Sequence, residues 1–436
     1  MQVVLPVLAG SKRLVDCFLA ALLLLLGAPL WAVVCCALAA RGVRLQRTPR
    51  LGRWCVVFQE YTCVFPDTRL GRVATALYLH RFPGLYHVLR GDMSCIGPRL
   101  VSPEEVDLRT WTVRKRYNVR PGFICLWWIR RRASIAYSSE MEADNEYVDT
   151  QDTWGDIGIA LRAIPAMLYG EGVASAPDIV TILGIPLHNL TMAEALDTIL
   201  ARLDASVPAQ VCFVNADCAN IAHKNPAYHT VLTQADVVLA DGIGLKLAGK
   251  CLGQEIKQNV NGTDLFPRLC EALSGTSKRL FLLGARPGVA EEVCRWVTTH
   301  YPDVVMAGWH HGYFTPDEEP QVLQHIASTR ADILLVAFGA PRQDLWIQQH
   351  LRTTGVKVAM GVGGLFDFYS GRIARAPIWV RELGAEWLYR LYQEPGRMWK
   401  RYLLGNGLFL WRVLRGNPRS LPDAALTLPR RKETTR

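Results

Sequence analysis

The chain has no Cys-x-x-Cys pair and no Cys/His pattern at metal-ligand spacing, although it holds 12 cysteines and 10 histidines. A zinc-type structural site is therefore not expected. Cys35, Cys36, Cys212 and Cys270 sit inside apolar runs, which fits buried thiols in a reducing compartment better than a disulfide framework. His310 and His311 are adjacent and have no carboxylate partner beside them. In a strand such neighbours face opposite ways, so this pair reads as structural or substrate-facing rather than metal-binding. From residue 178 onward there is no Asp-x-Asp to hold a divalent ion. No internal repeat and no nucleic-acid motif is visible, so a net charge of +10 does not point to DNA or RNA. Residues 17–40 lack charge altogether.

That uncharged run (CFLAALLLLLGAPLWAVVCCALAA) is flanked by Lys12, Arg13 and Asp16 before it and Arg41 and Arg44 after it. About 20 apolar residues suffice to cross a bilayer. The run is long and no small-residue cleavage site follows it, so it reads as an anchor rather than a cleaved signal. Pro29 lies mid-run, where it removes a helical hydrogen bond and favours a kink. Spanning and re-entrant arrangements both remain open. Beside such a segment, anionic lipid headgroups are the natural partner for the basic charge.

A boundary falls near residues 171–178 (EGVASAPD). It separates a mainly helical, Trp- and Arg-rich part, residues 1–172, from a part in which strands and helices alternate, residues 178–416. Residues 173–177 read as a linker, and residues 417–436, rich in proline and charge, as a disordered tail. In the second part, five apolar runs each end in a polar or glycine turn. VCFVNAD ends at Asn215 and Asp217, and ADVVLADGIG at Asp241. RLFLLGARPG ends at Gly284, Arg286 and Gly288, and ADILLVAFGAPRQ at Gly339 and Gln343. VKVAMGVGGLFDF ends at Gly363 and Asp367. Alternation of this kind implies an α/β fold with a mostly parallel, doubly wound, Rossmann-like sheet. Ligands of such sheets bind beyond the carboxyl ends of the strands. The stretch from about 377 to 412 changes to basic, aromatic helix, a helical appendage of the kind that suits a membrane interface.

These blocks, in order, resemble the WecG/TagA/CpsF glycosyltransferases (glycosyltransferase family 26). The resemblance runs from about 178 to 416 and includes FVNAD, ADVVLADGIG, NGTDLF, FLLGARPGVAE, AFGAPRQ, GVGGLFDF and EWLYRLYQEP. It implies an enzyme of hexosyltransferase type. Such an enzyme moves a sugar from a UDP-sugar to a polyprenyl-diphosphate-linked saccharide, with inversion and with neither metal nor cofactor. An inverting transfer needs one base for the acceptor hydroxyl. Position alone leaves Asp241 as that base or as the cap of the helix that follows. The resemblance assigns it the catalytic role. Asn215, Asp217, Gly284, Arg286, Gly288, Gln343, Gly363 and Asp367 are the expected substrate-binding residues, each with a turn or cap as the plain alternative. The resemblance also implies appendage arginines at the diphosphate, for which Arg390 and Arg397 are the choices. One departure stands out. The family commonly carries Arg ahead of the NGTD block, where this chain has Asn259.

The first part is similar to bacterial sugar transferases through KRLVDCFLAALLLLLGAPLW, GLYHVLRGDMSCIGPRLV and RYNVRPGFICLWW. Those enzymes use an Asp-Glu pair before a Leu-Pro. Here His80 and Arg81 stand in its place. Arginine stays protonated and cannot replace a carboxylate nucleophile. Loss of phosphoglycosyl transfer is therefore expected, with Asp92 and Arg99 retained for phosphate or for structure. The expectation as a whole is a membrane-bound transferase of exopolysaccharide or cell-surface polymer assembly, on the cytoplasmic face of a bacterial inner membrane. Its partners would be the UDP-sugar, the lipid-linked acceptor, the bilayer and, as an open option, a second copy of itself, but no nucleic acid. The alternatives are a bifunctional enzyme and an inactive membrane scaffold.

Overall fold

A computed structural model describes residues 5–105, 115–133, 135, 140–167 and 177–416. Residues 173–176 of the expected linker and all of the tail 417–436 lie outside that description. The chain divides into two compact units. The first is Met1–Gly172 together with Ala376–Tyr392, and the second is Val173–Arg375 together with Gln393–Arg436.

The first unit begins with α1 (Leu5–Ala39), a helix that continues through Pro29. Within Ser11–Ala39 an 18-residue window reaches a mean hydropathy of 2.5, and the stretch is long and apolar enough to cross a membrane. The foot of α1 is tied down by polar contacts. The Asp16 carboxylate accepts from Ser94 Oγ at 2.7 Å and Cys95 N at 2.9 Å. Lys12 Nζ donates to Tyr147 Oη at 2.9 Å and the Ile96 carbonyl at 3.1 Å. Higher up, a Cβ at Gly27 would stand 2.6 Å from the Phe82 ring, so glycine allows that close approach.

The antiparallel hairpin β1 (Arg44–Leu51) and β2 (Val57–Val64) follows. Sequence patterning gave no sign of it. Most of β1 is exposed, so it lacks the apolar alternation that marks a half-buried strand. Then come α2 (Arg69–Ala76), α3 (Leu85–Arg90), the short parallel pair β3 (Ser94–Ile96) and β4 (Gly122–Ile124), α4 (Leu126–Arg132), α5 (Glu140–Thr150) and α6 (Thr153–Ala166). Val88, Met93, Ile129, Tyr147 and Ala163 form the core beneath them.

The second unit opens with the hairpin β5 (Ile179–Ile182) and β6 (Ile185–His188), turned at Leu183 and Gly184, both with positive φ. Next is α7 (Met192–Leu203), whose Thr191 and Glu194 form a reciprocal capping box. The alternation continues with β7 (Ala209–Val214), α8 (Ala216–Lys224), α9 (Pro226–Gln234), β8 (Val237–Ala240), α10 (Ile243–Cys251) and α11 (Gly262–Leu273). It goes on through β9 (Arg279–Gly284), α12 (Val289–His300), β10 (Val305–His310), α13 (Glu319–Thr329), β11 (Ile333–Ala337), α14 (Arg342–Thr354), β12 (Val358–Gly361) and α15 (Leu365–Tyr369). The chain then runs through α16 (Ile378–Glu382), α17 (Glu386–Gln393), α18 (Pro395–Trp399) and α19 (Gly405–Arg415).

The eight strands are ordered β10-β9-β11-β12-β7-β8-β6-β5, and all are parallel to their neighbours except the edge strand β5. Side chains of period two sort the helices between the faces. Val211, Phe213, Leu280, Leu282 and Met360 pack against α7, α11, α12 and α15. Cys212, Val214, Val238 and Ala240 pack against α8, α9, α10 and α19. The chain leaves β7 toward α8 on one face and leaves β12 toward α15 on the other. Adjacent strands that feed opposite faces open a crevice at their carboxyl ends. It lies between β12 and β7, with β8 next in line.

Candidate active site

The rim of the second unit brings Asn215, Asp241 and Gly363 to three adjacent strand ends. Gly284, at the end of β9, is three strands away from Asn215, roughly 14 Å at the usual strand spacing. The expected residues therefore form an inner group and an outer one.

Asp241 follows β8, and its N–H donates to the Val214 carbonyl at 2.7 Å. The cap of α10 is Gly242, not Asp241. Gly242 takes φ 96° and ψ 151°, which L side chains avoid. Its N–H donates to Asn259 Oδ1 at 2.6 Å. The Val260 N–H donates to the Ala240 carbonyl at 2.8 Å, so the segment carrying Asn259 runs along the end of β8. Asn259 thus secures the backbone turn next to Asp241. Nothing in the local sequence pattern signals this pairing across 17 positions.

Asn215 is the cap of α8. Its Oδ1 accepts from Asp217 N at 3.1 Å and Cys218 N at 3.0 Å. The Asp217 carboxylate pairs with Arg401 Nε at 3.1 Å. Burial works against the Arg401 charge, but Tyr402, Asp217 and Asp241 outweigh it and hold the pKa above its ordinary value. Arg401 therefore stands in the field of both aspartates. It is kept there by α19, whose Phe409 and Val413 pack with Ala216 and Ala219 of α8. Asn220 Nδ2 also donates to the Gly405 carbonyl at 2.8 Å, and Arg412 Nη1 donates to Asn220 Oδ1 at 2.7 Å. Sequence reasoning chose Arg390 and Arg397 instead. Arg390 belongs to the first unit, and the side chain of Arg397 lies outside the described residues. A helix periodicity cannot tell which of several basic residues meets a distant carboxylate.

Gln343 is buried at the start of α14. Its Oε1 accepts from Gly339 N at 3.1 Å and Gly363 N at 2.9 Å, joining the turns after β11 and β12. Its acceptor is thereby committed to backbone. A Cβ at Gly361 would stand 2.7 Å from Gln343 Nε2 and 2.4 Å from Asp344 Oδ1, so only glycine fits beneath this pair. Asp344 is buried, receives the Tyr228 hydroxyl at 3.1 Å, and has its carboxyl pushed up to about 7 by burial. Asp367, on α15, has Arg372 Nη1 at 3.9 Å. Asp264 of the NGTD block pairs with Arg375 at 2.7 Å and is bound by its own cap, Asn261.

The outer group has a different character. Gly284 takes φ 133°, and a Cβ there would meet the Ala337 backbone at 2.7 Å. Arg286 and Gly288 are exposed, and Gly288 caps α12. The first turn of α12 already carries Glu291 and Glu292, paired with Arg295 at 3.5 and 2.7 Å. Those carboxylates complement the helix N-terminus and oppose an incoming phosphate.

The first unit has its own cavity of about 660 Å³, lined in part by Arg50, Glu60, His80, Arg81, Arg99 and Trp127. Glu60 is buried, with Arg50 Nε at 2.9 Å and Arg81 Nη2 at 3.7 Å. Arg99 pairs with Glu105 at 3.0 Å and Glu140 at 2.8 Å. Asp92 is held by His87 Nδ1 at 3.0 Å and Arg90 Nε at 3.3 Å, a local structural role.

Two families match this chain. The profile of the bacterial sugar transferase family matches residues 66–170, and that of the glycosyl transferase WecG/TagA/CpsF family matches residues 180–421. Similar curated proteins are named N-acetylglucosaminyldiphosphoundecaprenol N-acetyl-beta-D-mannosaminyltransferase. The one from Bacillus subtilis is 33% identical over 224 residues, which cover 51% of this chain and 86% of that protein. Its counterpart in Bacillus spizizenii is 35% identical over 201 residues, 46% of this chain and 77% of the relative. A Staphylococcus aureus protein is 31% identical over 224 residues, 51% of this chain and 86% of the relative. The chain belongs to the WecG/TagA/CpsF family of glycosyltransferases, and carries ahead of that region a segment matching the bacterial sugar transferases.

Proposed function

We propose that the second unit transfers a sugar from a UDP-sugar to a saccharide carried on polyprenyl diphosphate, with inversion, at a membrane surface. The observation that carries this reading is the placement of Asp241 at the end of β8, beside the crevice and in the field of Arg401. The relatives' names, which specify a diphosphoundecaprenol-linked acceptor, support the acceptor class. Asp241 takes the proton from the acceptor hydroxyl as its oxygen bonds to the sugar's anomeric carbon. The bond from that carbon to the UDP oxygen breaks, and UDP leaves with the electron pair. Charge on the departing diphosphate is balanced by Arg401, released from Asp217, and by backbone N–H groups at the strand-end turns. α1 tethers the enzyme to a bacterial inner membrane with the catalytic unit in the cytoplasm. The product is extended toward an exopolysaccharide or another surface polymer. Tethering raises the concentration of enzyme near its lipid-linked acceptor.

The first unit is assigned no phosphoglycosyl transfer. His80 and Arg81 line its cavity, and the lining carboxylates Glu60 and Glu105 are each engaged by arginine. UDP release tests the reading, using the full chain in nanodiscs with a panel of UDP-sugars and polyprenyl-diphosphate acceptors. The expected result is UDP formation that requires acceptor and disappears in Asp241→Ala. Activity that survives this substitution would remove Asp241 as the base. Silence across the panel together with absence of UDP binding would leave an inactive scaffold.

A further inference from the structure

The family match extends to residue 421, yet Ala376–Tyr392, inside that match, belongs to the first unit. An ion-pair network accompanies that placement. Glu382, at the end of α16, is fully buried. Its Oε1 accepts from Arg130 Nε of α4 at 2.8 Å, and its Oε2 accepts from Arg162 Nη1 of α6. Arg130 is itself buried and binds Glu146 of α5 through two hydrogen bonds of 2.6 Å. Ala376 and Val380, on the same segment, are also buried. A fully buried carboxylate is tolerated only when its charge is matched and its oxygens are satisfied. Among the described residues, the matching groups Arg130 and Arg162 come from the half that resembles the sugar transferases. The transferase half thus carries a carboxylate that makes sense only with the first half present.

We propose that the first half has become the fixed seat of the transferase appendage. Through Arg130 and Arg162 it grips Glu382, and by holding Ala376–Tyr392 it governs the helices that continue from it to Arg401. Its retained role is then an internal docking surface for a segment of this same chain, beyond membrane anchoring. Loss of the grip would free α16 and α17 at once, because they share that short segment.

Hydrogen–deuterium exchange on the full-length protein in nanodiscs tests this, with Glu382→Gln and Arg130→Met compared with the parent. The expected result is exchange about tenfold or more faster across residues 376–392 in both variants, with peptides from β7, β8 and β12 unchanged. Acceptor-dependent UDP release by the same samples should fall at least about fivefold. Unchanged exchange across 376–392 in both variants would overturn the seat. Faster exchange with full transferase activity would overturn its control of the appendage. The exchange measurement needs no substrate, so it stands even if the UDP-sugar reading fails. If either variant also loosens the strands, the milder Arg162→Lys decides the matter: selective loosening of 376–392 supports the seat, and unchanged exchange there overturns it.

Discussion

Both units gather arginines around a carboxylate, but they place that carboxylate differently. In the first unit Glu60 is buried between Arg50 and Arg81, inside a cavity. In the second, Asp241 is only partly covered, at a strand end, with Arg401 paired to its neighbour Asp217 and adding its field at Asp241. A buried carboxylate clasped by two guanidiniums is a structural counter-ion. Its charge is spent on those neighbours. A half-exposed carboxylate at the carboxyl end of a parallel strand can accept a proton from something that arrives. Composition is the same in the two places. Accessibility separates the two carboxylates.

The sharpest way to break this comparison is to remove each carboxylate in turn. Asp241→Asn should lower acceptor-dependent UDP release by roughly 10² to 10⁴, the range for a lost general base. Glu60→Gln should leave that rate within about threefold and lower the melting temperature instead, since it removes a buried charge that pairs with two partly exposed arginines. Equal losses of activity from both would erase the distinction. The cation comes next. Arg401→Ala should cost about 10² in kcat/KM, in line with the loss of one charge-stabilising donor, and Arg401→Lys should recover part of it. No change in Arg401→Ala would move the diphosphate elsewhere on the rim.

A smaller effect is expected from the hydrogen bond that steadies the turn after Asp241. Asn259→Ala removes the acceptor for Gly242 N–H and should lower kcat about tenfold, with the KM for the UDP-sugar little changed. A pure rise in KM would place Asn259 on the substrate instead. The smallest effect belongs to the base of the crevice. Burial raises the Asp344 carboxyl to about 7, against about 3.9 for an unfolded chain. The folded state then holds a proton that the unfolded state has lost, so stability falls as pH rises from about 4 through about 7. Asp344→Asn, which mimics the neutral acid, should flatten that part of the melting-temperature profile between pH 5 and 8, by a few degrees. An unchanged slope would assign the pH dependence to another group.

Much of the second unit was legible because its strands are short apolar runs closed by Asn, Asp or Gly. The runs ending at Asn215, Asp241, Gly284, Gly339 and Gly363 all form strands of the large sheet. Thr191 and Gly355 mark helix ends through local backbone chemistry, which needs no distant partner. The hairpin of β1 and β2 was illegible because most of β1 is exposed and shows no apolar alternation. Gln343 was marked by its place after a turn. Its bond to Gly363 N depends on which strands are neighbours, and sequence order does not reveal that.

The sequence by itself determined the α/β class, the long apolar helix, the family, and the position of Asp241 at a strand end. These follow from period, turn residues and composition, all of which are local. Only the tertiary structure decided that Arg401 pairs with Asp217 and lends its field to Asp241. It alone set Asn259 under Gly242, committed Gln343 to backbone, and buried Glu382 among arginines from the first half. Those choices depend on strand order and on which helix face turns inward, and long-range contacts set both.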